Sequence, residues 1–246
     1  MIWRIALHET RRLRAGLLFW LLLAITQLLI AWLGFAQLEA FATIAPQLKA
    51  AGSTIGATDL VITPTLNSLV LLLLLGVPLL AMGSVAGEVR SGRIDLWLAA
   101  PVRSGGIALG KTLGLWLASL PLVATGALTV AALGLAVDVD WPRLILAAAT
   151  LALFSLWLAS LTLCLSAWLD HPAAALAASY GLLLFLWLLD SLSSSEAPWY
   201  WLALLPHIEP MLKGLLRSQD VAFFAATGAA GIMLGAFRLA RRRGET

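Results

Sequence analysis

Cysteine occurs once in this chain, at Cys164, and tyrosine only twice. A single thiol excludes an intramolecular disulfide and gives no redox compartment. Charge is scarce as well: 12% of the 246 residues are charged, against about 25% in an ordinary soluble domain. Hydrophobic residues make up 61% and the mean hydropathy is +0.94. A globule this apolar would expose large adhesive patches to water, so the solvent for most of the chain is lipid. Only three histidines are present, His8, His171 and His207, in separate segments, and no metal site is expected from them. The serines at 193–195, with Glu196 and His207, carry no nucleophile-elbow signature, so no catalytic group is expected there.

What is abundant is the uninterrupted apolar run. A spanning helix needs about 20 mostly apolar residues. Six stretches free of Asp, Glu, Lys, Arg and His meet that need: 15–37, 61–87, 112–137, 144–169, 172–189 and 221–237. The fourth and fifth are separated only by Asp170 and His171, and Pro172 opens the fifth, which predicts a tight helical hairpin. Eleven tryptophans favour the membrane interface, with Trp199, Tyr200 and Trp201 as one belt.

The basic residues divide unevenly between the connections. Arg4, Arg11, Arg12, Arg14, Arg90, Arg93, Arg103, Lys111, Arg238, Arg241, Arg242 and Arg243 fall on one side, and only Lys49, Arg143, Lys213 and Arg217 on the other. The positive-inside rule then puts both termini in the cytoplasm, in a multi-pass protein of the cell (inner) membrane. The pI near 9.5 is a topology signal and not a nucleic-acid footprint. Residues 1–14 predict an amphipathic interfacial helix, with Ile2, Trp3, Ile5, Ala6, Thr10 and Leu13 opposite Arg4, His8, Arg11 and Arg12. The apolar run that follows is longer than a signal-peptide core of about 7–15 residues, so it is expected to stay attached. The six-span domain then covers 15–240, and 241–246 form a basic tail.

Gly105, Gly110, Lys111 and Thr112 satisfy the phosphate-loop spacing G-x-x-x-x-G-K-[ST]. Such a loop must follow a buried strand and open a soluble helix, whereas Lys111 leads directly into an apolar span. The longest connection on that side, 88–111, is far too short for a nucleotide-binding domain. The match reads as coincidence.

The same stretch, GEVRSGRIDLWLAAPVRSGGIALGKTLG, resembles the segment between spans two and three of ABC-2-type transporter permeases, through Glu88, Gly92, Asp95, Pro101-Val102 and Gly110-Lys111. It departs at Arg93, where the family more often has Thr. A second block, PHIEPMLKGLLRSQDVAFF, resembles the family's segment before its last span, with His207, Gly214 and Asp220 in matching positions. The likeness is greatest to the short permeases of the gliding-motility and nitrous-oxide-reductase-maturation type.

The resemblance implies an all-α integral membrane protein with six transmembrane helices, an N-terminal interfacial elbow helix and short extracytoplasmic helices before the last span. It further implies a permease subunit, more an exporter than an importer, that binds no cofactor itself. The chain would pair with a second permease chain, identical or a sister subunit, and with two copies of an ABC ATP-binding subunit carrying ATP and Mg. The coupling segment would be 88–111. There Ile94, Trp97, Leu98 and Pro101 recur at i, i+3, i+4 and i+7, among Arg90, Arg93, Asp95 and Arg103, as an apolar stripe fit for a groove on the ATPase. Glu88 and Lys111 are expected at its two ends where charge just reaches water, braced by an exposed ion pair between them or from Glu88 to Arg90 or Arg93. Trp201, His207, Gly214 and Asp220 are the candidates for an outer gate. The empty spans disfavour an ion-coupled carrier, which keeps buried ionisable groups; an ATP-independent carrier or channel and a membrane assembly scaffold stay as the alternatives. Gln27, Asn67, Ser68 and Ser119 are read either as pathway lining or as ordinary hydrogen-bonders between helices.

Overall fold

The computed structural model describes residues 1–50, 56–137, 139–192 and 198–244; the serines at 193–195, Glu196 and the last two residues of the tail lie outside them. Every regular element among the described residues is a helix, with no strand. The elements are α1 (Ile2–Ala15), α2 (Leu17–Ala50), a π turn (Thr58–Ile62) continuing into α3 (Thr63–Ala81), α4 (Ala86–Arg90) and α5 (Ile94–Ala99). Then follow α6 (Ser104–Leu133), α7 (Trp141–Trp168), α8 (Pro172–Leu192), a 3-10 turn (Pro198–Leu202), α9 (Leu205–Leu212) and α10 (Ser218–Arg243). Six of these segments are long and apolar enough to cross a membrane, and the chain is a polytopic all-α membrane protein.

The helices overrun the apolar stretches that announce them. The connection after residue 37 is helical as far as Ala50, and α6 starts eight residues before position 112. Consequently Lys111 lies roughly two turns inside a helix instead of ahead of one. The hairpin between α7 and α8 forms as expected, with Pro172 as the first residue of α8, where its missing N–H costs nothing.

The core lies where α3, α6 and α7 meet, and α2 and α8 lie at the rim with much of their apolar surface turned outward. Gly228, Gly231 and Gly235 bring α10 onto α7. A Cβ at Gly231 would fall 3.2 Å from both the Ser160 carbonyl oxygen and Leu161 Cδ2. Along that seam Phe154, Trp157, Phe223 and Phe224 form an aromatic cluster with ring centres 5.3–6.2 Å apart. The Trp157 indole N–H is satisfied by Thr227 Oγ1 at 2.7 Å. Of the neutral polar groups, Gln27 bonds Thr129 across helices, whereas Ser68 and Ser119 bond carbonyls of their own helices.

Candidate functional site

Both termini come to one end of the bundle, here the near end: Arg243 donates to the carbonyls of Val102 and Ala100, just before α6. At this end α1 crosses α6. Gly110 and Gly114 permit the crossing, because a Cβ at Gly110 would sit 2.8 Å from Ile5 Cβ. One at Gly114 would sit 2.6 Å from Glu9 Cβ and 2.7 Å from the Ala6 carbonyl. The Thr10 hydroxyl reaches the Gly114 carbonyl at 2.9 Å. Pro121 supplies no N–H to the carbonyl four residues back, and Arg14 of α1 donates to that carbonyl, Leu117 O. Thus Ile5, Ala6 and Thr10, expected to face lipid, are buried on α6, while Trp3 is exposed.

Four charges close this junction. Glu9 and Arg12 are neighbours on one face of α1, Glu88 is in the first turn of α4, and Lys111 projects from α6. Lys111 Nζ lies 2.9 Å from Glu88 Oε1, 3.2 Å from Glu9 Oε2 and 2.9 Å from the Ser84 carbonyl. Arg12 bridges the same two carboxylates from the other side, Nη1 to Glu88 at 2.8 Å and Nη2 to Glu9 at 2.5 Å. The result is a ring of two cations and two anions. Lys111 is 0% exposed, Glu9 1% and Glu88 3%. Burying such groups is tolerable only because each charge meets its opposite and the ammonium protons are used. The Trp97 ring covers Lys111 Nζ at 5.3 Å, and His8 meets Trp97 edge-on at 5.6 Å. Ser166 of α7 accepts hydrogen bonds from the N–H groups of Val85 and Ala86, which fixes the start of α4 and so the position of Glu88.

Several expectations change here. Glu88 and Lys111 are not water-reaching boundary markers with an exposed pair; they are enclosed, and Glu88 pairs with Lys111 and Arg12, not with Arg90 or Arg93. The stripe on α5 turns inward. Ile94 is buried against Val85, Ile107 and Leu239, Trp97 and Leu98 are half-buried, and only Pro101 is exposed. A six-residue helix beside a bundle buries its apolar face on that bundle. The outward face carries Arg93, Asp95, Leu96 and Ala99, and Leu96 is 75% exposed. Gly92 makes the turn between α4 and α5 at φ 72°, a conformation open to glycine. The phosphate-loop residues all lie within α6: Gly110 serves the crossing, Lys111 the carboxylates, and Thr112 bonds Ala108 O.

Glu9 was not among the sequence candidates, and Arg12 entered only as a topology charge and on the polar face of the interfacial helix. The signal was present: Glu9 is four residues from Ile5, on the apolar face of an otherwise basic helix.

At the far end the structure gathers Trp201, His207 and Asp220. His207 Nδ1 lies 2.8 Å from Asp220 Oδ1 and Nε2 lies 3.0 Å from the Trp201 carbonyl. The carbonyl can only accept, so Nε2 carries a proton. One further proton must lie between Nδ1 and Oδ1, and the pair is net neutral whichever atom holds it. The imidazole stacks on Phe223 with centroids 4.2 Å apart and an angle of 13°. Asp220 is fully buried. Gly214 is not part of this cluster. It turns the chain between α9 and α10 at φ 87°, its Cα side against Arg143. Among the described residues no three His, Cys, Asp or Glu side chains gather as a metal site would require.

No known protein family and no curated protein matches this chain.

Proposed function

We propose that the chain is the membrane-spanning permease subunit of an ATP-driven transporter of the ABC-2 type, working as an exporter. In this reading the near end faces the cytoplasm of a cell whose inner membrane holds the protein. Two permease chains pair with two separate ATP-binding subunits, which alone bind ATP and Mg. The observation that carries the proposal is the charge ring, which ties the elbow helix α1, the α4–α5 connection and α6 into one unit. A push on α5 then tilts α3 and α6 together instead of bending a loop. The surface offered to the ATPase is the outward face of α5, with Leu96 at its centre and Asp95 beside it, a small version of helix-in-groove recognition.

Purification in mild detergent is expected to bring down a domain-sized ATPase subunit, and transport is expected to require it. Leu96→Asp should abolish transport-stimulated hydrolysis while leaving the thermal unfolding of the permease unchanged. Transport of a solute by the purified chain alone would sink the proposal. That result would favour an ATP-independent carrier, for which the buried His207–Asp220 pair is the feature to examine, since ionisable groups withheld from water in a span are commonly functional.

A further inference from the structure

Beside the charge ring, a cleft of about 320 Å³ opens at the near end of the spans. It is bounded by Arg12 and Leu13 of α1, Gly16 and Leu18 at the turn into α2, Leu80 and Gly83 at the end of α3, and Arg93. This size is at the low end for a small-ligand site. Its composition is divided, with two guanidinium groups from separate elements at its polar part and three leucines forming its apolar walls.

We infer that this cleft is a binding site for the headgroup of an anionic phospholipid, resident in the leaflet at the near end. The charge balance points to an anion. Glu9 and Glu88 are neutralised by Arg12 and Lys111, and Arg93 makes no ion pair within 4 Å with these or with the exposed Asp95 among the described residues. Its hydrogen bond among the described residues runs from Nε to Ser91 Oγ at 3.1 Å, which leaves the outer edge of the guanidinium fork available for phosphate oxygens. Arg12 Nε is buried and has no hydrogen-bond partner among the described residues. The apolar side points to a lipid in place of a soluble phosphate. From Leu18 the exposed surface continues along one face of α2 through Leu21 and Ile25, an uninterrupted track for an acyl chain into the membrane. An acidic peptide or free phosphate would have no use for that track. Clusters of arginine at the ends of spans are suited to anionic lipid for the same electrostatic reason. This inference does not depend on the transport reading.

Gly83 gives a clean test, because a Cβ there meets nothing within 4 Å. Gly83→Leu therefore fills the cleft without disturbing the charges, and Arg93→Gln removes that guanidinium without touching the ring. The purified protein, delipidated in detergent, is titrated with phosphatidylglycerol, with phosphatidylcholine, with inorganic phosphate and with a short poly-glutamate peptide, and its unfolding temperature is followed. Phosphatidylglycerol alone is expected to raise that temperature, less so at high salt, and both variants should lose the rise while keeping the lipid-free value. Equal protection by phosphatidylcholine, protection by inorganic phosphate or by the peptide, or a full rise in both variants would each overturn the assignment.

Discussion

The two ends of the bundle both withdraw ionisable groups from water, yet they do so in opposite ways. At the near end the pairing is long-range: Lys111 meets Glu9 across 102 positions of sequence, and Arg12 meets Glu88 across 76. At the far end His207 and Asp220 are 13 positions apart, on a short helix and the span that follows it. The near cluster consists of four full charges whose neutrality depends on every member. The far pair is a single contact, His207 Nδ1 to Asp220 Oδ1, and is otherwise supported by apolar contacts, since Ile208, Met211 and Leu212 of α9 are each buried. An end held by interlocked buried charges resists bending more than an end with one buried clasp over a greasy contact, where the other ion pairs, Arg143 to Asp59 and Asp140, are half-exposed. That contrast is what a lever at one end and a gate at the other would require.

The sharpest way to break the comparison is to remove one charge from each end. Lys111→Met leaves two buried carboxylates facing one arginine, and breaking a buried pair in this way typically costs about 3–5 kcal/mol. Thermal unfolding in detergent should show it, and adding Glu9→Gln to the same chain should recover part of the loss by restoring neutrality. Asp220→Asn is expected to cost much less, about 0.5–1.5 kcal/mol, because the amide still offers one proton to His207 Nδ1. Equal losses from the two would refute the distinction drawn between the ends. Between these two in size stands Gly114→Leu. The α1–α6 crossing has no room for a side chain, so overpacking of about 1–3 kcal/mol is expected. Faster proteolysis within residues 1–14, with the spans intact, is the matching readout.

Composition and periodicity made the architecture readable: the six apolar runs and the α7–α8 hairpin are visible as patterns of residue type. The charge ring was hidden by the way spans are read. A span found by walking from one ionisable residue to the next is charge-free by construction, so Glu88 and Lys111 became its borders and their burial could not be seen. Helix α6 continues past that border, because nothing in Ser104–Gly110 stops a helix once α1 packs on it. Similarly, the i, i+3, i+4, i+7 pattern of α5 correctly identified an apolar face but not the surface that covers it. Periodicity distinguishes buried from exposed residues; it does not say whether the burial is within the chain or against a partner. His207 and Asp220 became candidates only through the family likeness, since nothing in their local spacing shows that α9 folds back to bring them together.

The weakest expected effect tests whether exposed charge at the near end matters at all. Asp170, in the turn between α7 and α8, pairs with Arg242 near the end of α10. The arginine's hydrogen bond and charge hold the Asp170 carboxyl below the usual carboxylate range. A carboxyl whose folded value is depressed stabilises the protein above its unfolded pKa, and that contribution disappears as the pH falls through the folded value. The carboxylate is 62% exposed, so solvent and salt screen the pair and its worth is below about 1 kcal/mol. Asp170→Asn should therefore move the unfolding temperature slightly at neutral pH and not at all under acid conditions where the carboxyl is protonated in both states. A shift that persists in acid would mean that the turn, and not the ion pair, fixes α10 against α7. A shift as large as that of Lys111→Met would show that burial is not what separates the ring from the other near-end charges.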